Sequence, residues 1–173
     1  MKTLQKSLIL ALSIIPMISQ AVPSYDEGFS SKMLASHNDY RAVHDAPALQ
    51  WDSGLAEYAQ RHADQCNFQH THGPYGENLA AGYRSPEASV GAWYAEEKNY
   101  SYAHPQFSSA TGHFTQLVWK SSRKIGCAYA PCYGKNGTPG NYVVCEYSPA
   151  GNIVNAGYFE KNVTPPQPSQ AKS

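Results

Sequence analysis

Four cysteines, Cys66, Cys127, Cys132 and Cys145, constrain the fold of this chain more than any other feature. In an oxidising compartment four cysteines form two disulfides, and three pairings are open. Zinc ligation is the rival interpretation, but it favours closely spaced pairs such as Cys-x-x-Cys, which this chain lacks. We therefore expect disulfides, provided that the chain is exported.

The first 21 residues have the parts of a secretory signal peptide. A short basic start precedes an apolar run over 7–18, and small residues end the segment at Ala21. The run is shorter than the roughly 20 residues that a membrane-spanning helix needs, and Pro16 interrupts it. We expect a secreted protein with no transmembrane segment, in which residues 22–28 form an N-terminal extension.

Charge and composition exclude several classes of protein. The chain has 13 Lys+Arg against 13 Asp+Glu, so it lacks the basic surface that nucleic acid selects, and we expect no nucleic-acid partner. Its 173 residues are 42% hydrophobic, which is typical of one globular domain. We expect this domain over residues 29–161, followed by a disordered proline-rich tail over 162–173.

Hydrophobic periodicity predicts three helices in the first half of the domain. The first begins at Ser30 or Ser31 and ends near Val43, the second begins near Asp52, and the third follows a cap at Ser85 and runs toward Tyr100. One stripe of the second helix faces the core: Leu55, Ala59, His62 and Cys66.

Short runs rich in aromatic and β-branched residues follow and predict strands: Phe114–Trp119, Lys124–Tyr129 and Tyr142–Tyr147. The last two flank a turn-rich loop over 135–141, which predicts a β-hairpin. Cys127 and Cys145 then lie opposite each other across the hairpin. Cys132 is too near the loop to share that register, which leaves it for Cys66. Helices followed by antiparallel strands indicate an α+β domain.

Side chains that could carry chemistry concentrate in the loop Phe68–Leu79. It contains His70, His72 and Glu77 among Gly and Pro residues, whose turns can bring imidazole and carboxylate together. Their spacing matches no known metal signature. Elsewhere, three Asn-x-Ser/Thr sequons, at Asn99, Asn136 and Asn162, predict N-glycosylation.

Three motifs closely resemble the CAP superfamily of secreted cysteine-rich proteins, which includes venom antigens, plant pathogenesis-related proteins and fungal sterol-binding proteins. They are Gly76–Ala80 (GENLA), Gly112–Trp119 (GHFTQLVW) and Tyr142–Tyr147 (YVVCEY). The resemblance runs from about Phe29 to Phe159 and is greatest to the fungal sterol-binding members. It implies an α-β-α sandwich, in which helices cover both sides of a central antiparallel sheet, with the two disulfides inferred above.

The resemblance also implies a tetrad of two histidines and two glutamates in a surface cleft. Matched position by position, its members are His70, Glu77, Glu96 and His113. Such a set can hold Zn²⁺ or another divalent cation, and a metal-bound water beside a glutamate can hydrolyse a substrate. A polar network that only anchors loops is the alternative. His72 and Glu146 stand where relatives usually carry other residues, and neither is assigned to the tetrad.

The loop Tyr100–Thr111 resembles the loop through which fungal relatives bind sterols. Its candidate ligand contacts are Tyr102, Pro105, Phe107 and Thr111. A mobile aromatic loop can shelter a flat apolar ligand. The alternative is that Tyr102 and Phe107 pack into the core.

Taken together, these features favour a binding protein over an enzyme. We expect a secreted monomer that binds and sequesters or exports a sterol or fatty acid, with no organic cofactor and with a cleft able to bind a divalent cation. One alternative is a metal-dependent protease or other hydrolase that uses the tetrad. Another is an extracellular effector that binds a protein partner on host or competitor surfaces.

Overall fold

The computed structural model describes residues 27–168. The helices are α1 (Glu27–Val43), α2 (Ser53–Ala63), α3 (Pro86–Tyr94), α4 (Gly112–Val118) and α5 (Tyr158–Asn162). The strands are β1 (Gln50–Trp51), β2 (Gly76–Ala81), β3 (Lys124–Pro131) and β4 (Asn141–Ser148). No helix within the described range is long and apolar enough to cross a membrane. The predicted signal peptide lies outside that range, as does most of the predicted N-terminal extension.

The strands form one sheet in the order β1-β3-β4-β2. The central strand β4 pairs antiparallel with both β3 and β2, so the predicted hairpin is confirmed. The edge strand β1 differs from the expectation because it runs parallel to β3. It is only two residues long, which is too short to show an alternating pattern in the sequence.

Alternate residues of β4 point into two separate cores. Val143, Cys145 and Tyr147 belong to the larger core, which also includes side chains of α1, α3 and α4. Tyr142 and Val144 face the opposite side, where they join the buried alanines of α2. The helices therefore cover both sides of the sheet, and the α-β-α sandwich is confirmed.

Both expected disulfides are present. Cys127 and Cys145 are direct partners in the β3–β4 register, with their Cα atoms 4.1 Å apart. The bond between Cys66 and Cys132 ties the segment after α2 to the residue after β3. The expectation that Cys66 lies on the second helix is wrong, because α2 ends at Ala63 and Cys66 follows in a left-handed turn with φ of 52°. Its side chain is nevertheless buried.

The predicted strand Phe114–Trp119 is wrong, because most of this segment forms α4. All of α4 from Phe114 to Val118 is buried, and the helix has only seven residues, which are too few for the helical period to stand out in the sequence. The helix has no side-chain cap of its own at Thr111. Instead, the carboxylate of Glu96 accepts hydrogen bonds from the backbone N–H groups of His113 and Phe114. This distant cap satisfies two of the amide groups that a helix start leaves open.

The predicted disordered tail is ordered over its first part. Two hydrogen bonds of 2.8 Å join Thr164 to His44. The Thr164 hydroxyl donates to the His44 carbonyl, and the His44 imidazole donates to the Thr164 carbonyl. The backbone N–H of Gln167 donates to the carbonyl of Val43. Residues 162–168 are therefore held against the end of α1, and residues 169–173 lie outside the described range.

Candidate functional site

The first histidine–glutamate pair links β2 to the loop before it. Nδ1 of His70 lies 2.7 Å from Oε1 of Glu77 and donates to it. Glu77 also accepts from the backbone N–H and the hydroxyl of Thr71, at 3.0 and 2.8 Å. Burial alone would raise the pKa of Glu77, but hydrogen bonds from His70, Glu146 and Thr71 outweigh burial and lower it. The predicted loop therefore does join imidazole and carboxylate, although Glu77 itself lies on β2.

The second pair repeats this pattern on the neighbouring helices. Glu96 lies in the 3₁₀ turn Ala95–Asn99 that follows α3, and His113 lies in the first turn of α4. Nδ1 of His113 is 2.7 Å from Oε1 of Glu96, and Oε2 accepts the two backbone bonds that cap α4. The ring of Trp93 stacks on the imidazole of His113 with an interplanar angle of 24°. Each carboxylate therefore fixes both its histidine and the backbone beside it.

Both histidines line one cavity of about 380 Å³, together with Glu77, Asn78, Phe107 and Asn152 among others. In each pair the carboxylate takes the Nδ1 side of the ring, and Nε2 makes no hydrogen bond within residues 27–168. Histidines that ligate metal ions commonly have this arrangement, with one ring nitrogen held by a carboxylate and the other open. The structure thus brings three tetrad residues, His70, Glu77 and His113, to one cleft, and Glu96 joins the second pair through its bond to His113 without lining the cleft itself.

The donor set fits a borderline divalent cation such as Zn²⁺, for which neutral imidazole is a preferred ligand. The ligand atoms of the tetrad do not converge within 4.8 Å of one another in groups of three. Among the described residues only His37, Cys127 and Cys145 do so, and there the sulfurs form a disulfide. The tetrad therefore does not form a closed structural metal site, and an ion held by its imidazoles would need further ligands from solvent.

Glu146 is the residue near the site that sequence reasoning missed. It is the direct cross-strand partner of Glu77, and its side chain is fully buried. Neither of its oxygens accepts a hydrogen bond from a donor within the described range. Burial and the facing carboxylate of Glu77 raise the pKa of Glu146, so it holds the proton that two facing carboxyl groups need. The departure from the family pattern was visible in the sequence, but the register that pairs it with Glu77 was not.

Two of the four predicted loop residues border a second cavity. Pro105 and Phe107 line a space of about 470 Å³. The opposite wall, which the sequence did not reveal, comes from the segment before and within α5: Val154, Asn155, Ala156, Gly157, Phe159 and Glu160. Phe107 is 48% exposed and Val154 is 75% exposed, so apolar side chains also surround the mouth.

The other two predicted loop residues lie elsewhere. The hydroxyl of Tyr102 donates to Glu97, and its ring packs edge-on against Tyr100 and partly into the larger core. Thr111 is buried at the start of α4. Both residues support the loop from inside and do not line the 470 Å³ cavity.

The three sequons differ in accessibility. Asn99 and Asn136 are exposed, although the Asn136 amide donates to the carbonyl of Gln65. Asn162 is buried, with its amide bonded to the carbonyl of Tyr158 and its oxygen accepting from Ser121. The expectation of a glycan on Asn162 therefore disagrees with the structure, because the folded chain leaves no room for a sugar there. Asn162 instead has a structural role.

Comparison with known proteins shows the family of this chain. The model of the cysteine-rich secretory protein family matches residues 34–147, which is more than half of the chain. The chain belongs to the CAP family. It is 46% identical over 154 residues to the secreted protein RBT4 of Candida albicans, covering 82% of this chain and 42% of that protein. It is 37% identical over 161 residues to pathogenesis-related protein 1 of Arabidopsis thaliana, covering 90% of this chain and 98% of that one.

The fold of this CAP chain is also similar to solved structures. A crystal structure of NaASP2 with Zn²⁺ superposes with a TM-score of 0.63 at 24% identity, covering 82% of this chain and 87% of that one. At this identity the likeness concerns the fold alone. Among curated relatives, the chain spans between 33% and 58% of the length of four fungal proteins from Candida albicans and Saccharomyces cerevisiae.

Proposed function

We propose that this CAP protein is secreted and binds a sterol or a related lipid in the 470 Å³ cavity beneath the loop Tyr100–Thr111. The observation that carries this proposal is the cavity itself, with Pro105 and Phe107 on one wall and Val154 and Phe159 on the other. Ligand cavities typically measure about 300–1,000 Å³ and are mostly apolar with a few polar groups. Burial of apolar ligand surface there supplies affinity at about 25 cal/mol per Å².

The polar groups of this cavity favour a sterol over a fatty acid. Gln106, Asn155 and Glu160 are its polar lining residues. An amide or a carboxylate oxygen can accept a hydrogen bond from the single hydroxyl of a sterol. The carboxylate of a fatty acid would instead meet the like charge of Glu160, which costs affinity.

Export rests on three observations. Residues 1–21 have the pattern of a signal peptide, all four cysteines are in disulfides, and RBT4 carries the description of a secreted protein. We place the protein outside the cell on this basis, where it can meet an extracellular protein partner.

The tetrad serves in this proposal as a cation-binding site and not as a catalytic centre. Each glutamate already accepts at least three hydrogen bonds, from its histidine and from nearby backbone or hydroxyl groups. A carboxylate has about four acceptor positions, so little capacity is left for a general base to take a proton from water. A bound Zn²⁺ would supply positive charge at the open Nε2 atoms of His70 and His113.

Sterol titration of the purified mature protein tests the proposal. We expect Phe107→Ala to weaken sterol affinity about tenfold, or about 1.4 kcal/mol, because the ring forms part of the cavity wall. Phe68→Ala is the matched control, since Phe68 is 51% exposed but lies away from this cavity. Equal affinity in both variants, or no saturable sterol binding by the unaltered protein with or without chelator, would refute the lipid proposal.

A further inference from the structure

We propose that His72 is a ligand for a divalent cation of the Zn²⁺ or Cu²⁺ type, acting together with His70. This inference rests on the proposed function only in that the tetrad also uses His70. His72 is exposed, and its ring centroid lies 6.5 Å from that of His70. Both histidines line a third cavity, of about 210 Å³, whose other lining side chains include Tyr75, Gln116 and Asn152.

The two imidazoles have ring nitrogens available for a cation. Nδ1 of His70 donates to Glu77, which leaves Nε2 as its ligand atom. The ring of His72 makes no hydrogen bond within residues 27–168, so both of its nitrogens are open. The carboxylate of Glu77 would also support the bound state, because a carboxylate behind a ligating imidazole orients the ring and increases its basicity.

The chain between the two histidines is already fixed. Thr71 is held to Glu77 through both its backbone N–H and its hydroxyl. The backbone N–H of Gly73 in turn donates to the Thr71 hydroxyl oxygen at 3.3 Å. The His-Thr-His segment therefore presents its two rings from an ordered backbone, which lowers the entropy lost on binding.

The distance between the two imidazole rings is close to the distance expected when both rings bind one ion. With metal–nitrogen bonds of about 2.0–2.1 Å, two imidazoles on a tetrahedral ion place their centroids about 5 Å apart. The 6.5 Å separation exceeds this by an amount that side-chain rotation of the exposed His72 can remove. Imidazole selects Zn²⁺ and Cu²⁺ over the hard cations Mg²⁺ and Ca²⁺, which prefer oxygen ligands.

Calorimetric titration of the mature protein with Zn²⁺ tests the proposal, with Mg²⁺ as the control cation. We expect His72→Ala to weaken Zn²⁺ binding at least about tenfold, because a ligand is lost. His104→Ala, which removes another exposed histidine, should leave the affinity unchanged, and Mg²⁺ should give no binding heat. Thermal unfolding of each variant checks that it is folded.

The variant His113→Ala separates this proposal from the tetrad cation. Weaker Zn²⁺ binding in His72→Ala but not in His113→Ala supports the role of His72 as a ligand and overturns the proposal that the tetrad binds the cation. Weaker binding in both assigns one ion to three imidazoles and also supports His72. An unchanged Zn²⁺ affinity in His72→Ala overturns the role of His72. If only His113→Ala loses Zn²⁺ binding, the tetrad alone binds the cation. No Zn²⁺ binding by the unaltered protein overturns both.

Discussion

Glu146 couples the stability of this protein to pH. Its pKa is raised in the folded state by burial and by the charge of Glu77. The folded state thus keeps a proton that the unfolded chain loses above the ordinary glutamate pKa of about 4.3. Because the folded state binds more protons, the free energy of unfolding contributed by Glu146 falls as the pH rises above that value.

We therefore expect Glu146→Gln to stabilise the protein, by an amount that grows between about pH 5 and pH 8. The glutamine side chain keeps the shape of Glu146 and a hydrogen-bond donor toward Glu77, but it has no proton that titrates in this pH range. For one proton, the gain increases by up to about 1.4 kcal/mol per pH unit. Urea unfolding at about pH 5 and pH 8 measures this gain in the free energy of unfolding. Glu57→Gln is the control, because Glu57 is exposed. An equal effect of Glu146→Gln at both pH values would show that Glu146 is ionised in the fold.

The sequons provide a second prediction about single residues. We expect Asn99→Gln to lower the mass of the secreted protein by one glycan, because Asn99 is exposed, and enzymatic deglycosylation should then remove one glycan fewer from the variant than from the unaltered protein. Asn162→Gln should leave the glycan mass unaltered and lower the free energy of unfolding by about 1–3 kcal/mol, since Ser121 loses its buried acceptor. A glycan found on Asn162 in the folded, secreted protein would contradict the structural role assigned to it.

Among the elements, the contact between α2 and β3 depends most on one small residue. A Cβ atom on Gly126 of β3 would lie within 2.6 Å of Leu55 Cβ and would also meet the backbone of α2. The helix therefore packs directly on the strand, at a distance that only glycine permits.

We expect Gly126→Ala to lower the free energy of unfolding by about 1–3 kcal/mol or more, because α2 must move away from the sheet. Gly91→Ala is the control. A Cβ there would meet only the Tyr40 hydroxyl, at an ordinary 3.6 Å, and α3 should tolerate it. Thermal unfolding compares the two variants, and equal melting temperatures for Gly126→Ala and the unaltered protein would mean that α2 does not pack directly on β3.

The elements also show where sequence patterns succeed and fail. The helix starts at Asp52 and Ser85 were predictable because each carries a capping side chain, and both caps accept hydrogen bonds from the backbone in the structure. The helix α4 was not predictable, since its cap comes from Glu96, 16 residues before Gly112 along the chain. Strand β2 was taken for a loop because Gly76–Ala81 has no β-branched residue.

At the scale of the whole molecule, the candidate sites adjoin one another. Phe107 lines both the 470 Å³ lipid cavity and the 380 Å³ tetrad cleft, and His70 lines both the tetrad cleft and the 210 Å³ cavity with His72. The motifs gave two members of the tetrad directly, Glu77 in Gly76–Ala80 and His113 in Gly112–Trp119, whereas His70 and Glu96 followed from their spacing to neighbouring residues of the family pattern. They could not predict the wall formed by residues 154–160, which meets the loop only through the tertiary fold.

Labelling with a photoreactive sterol tests the central claim, a lipid cavity between the loop and the segment before and within α5, most directly. Irradiation of the mature protein, followed by proteolysis and mass spectrometry, identifies the labelled residues. We predict labels within residues 105–107 and 154–160, and we expect excess unlabelled sterol to remove them. Labels confined to other surfaces, or labels that excess sterol does not displace, would contradict the assignment of this cavity to a sterol.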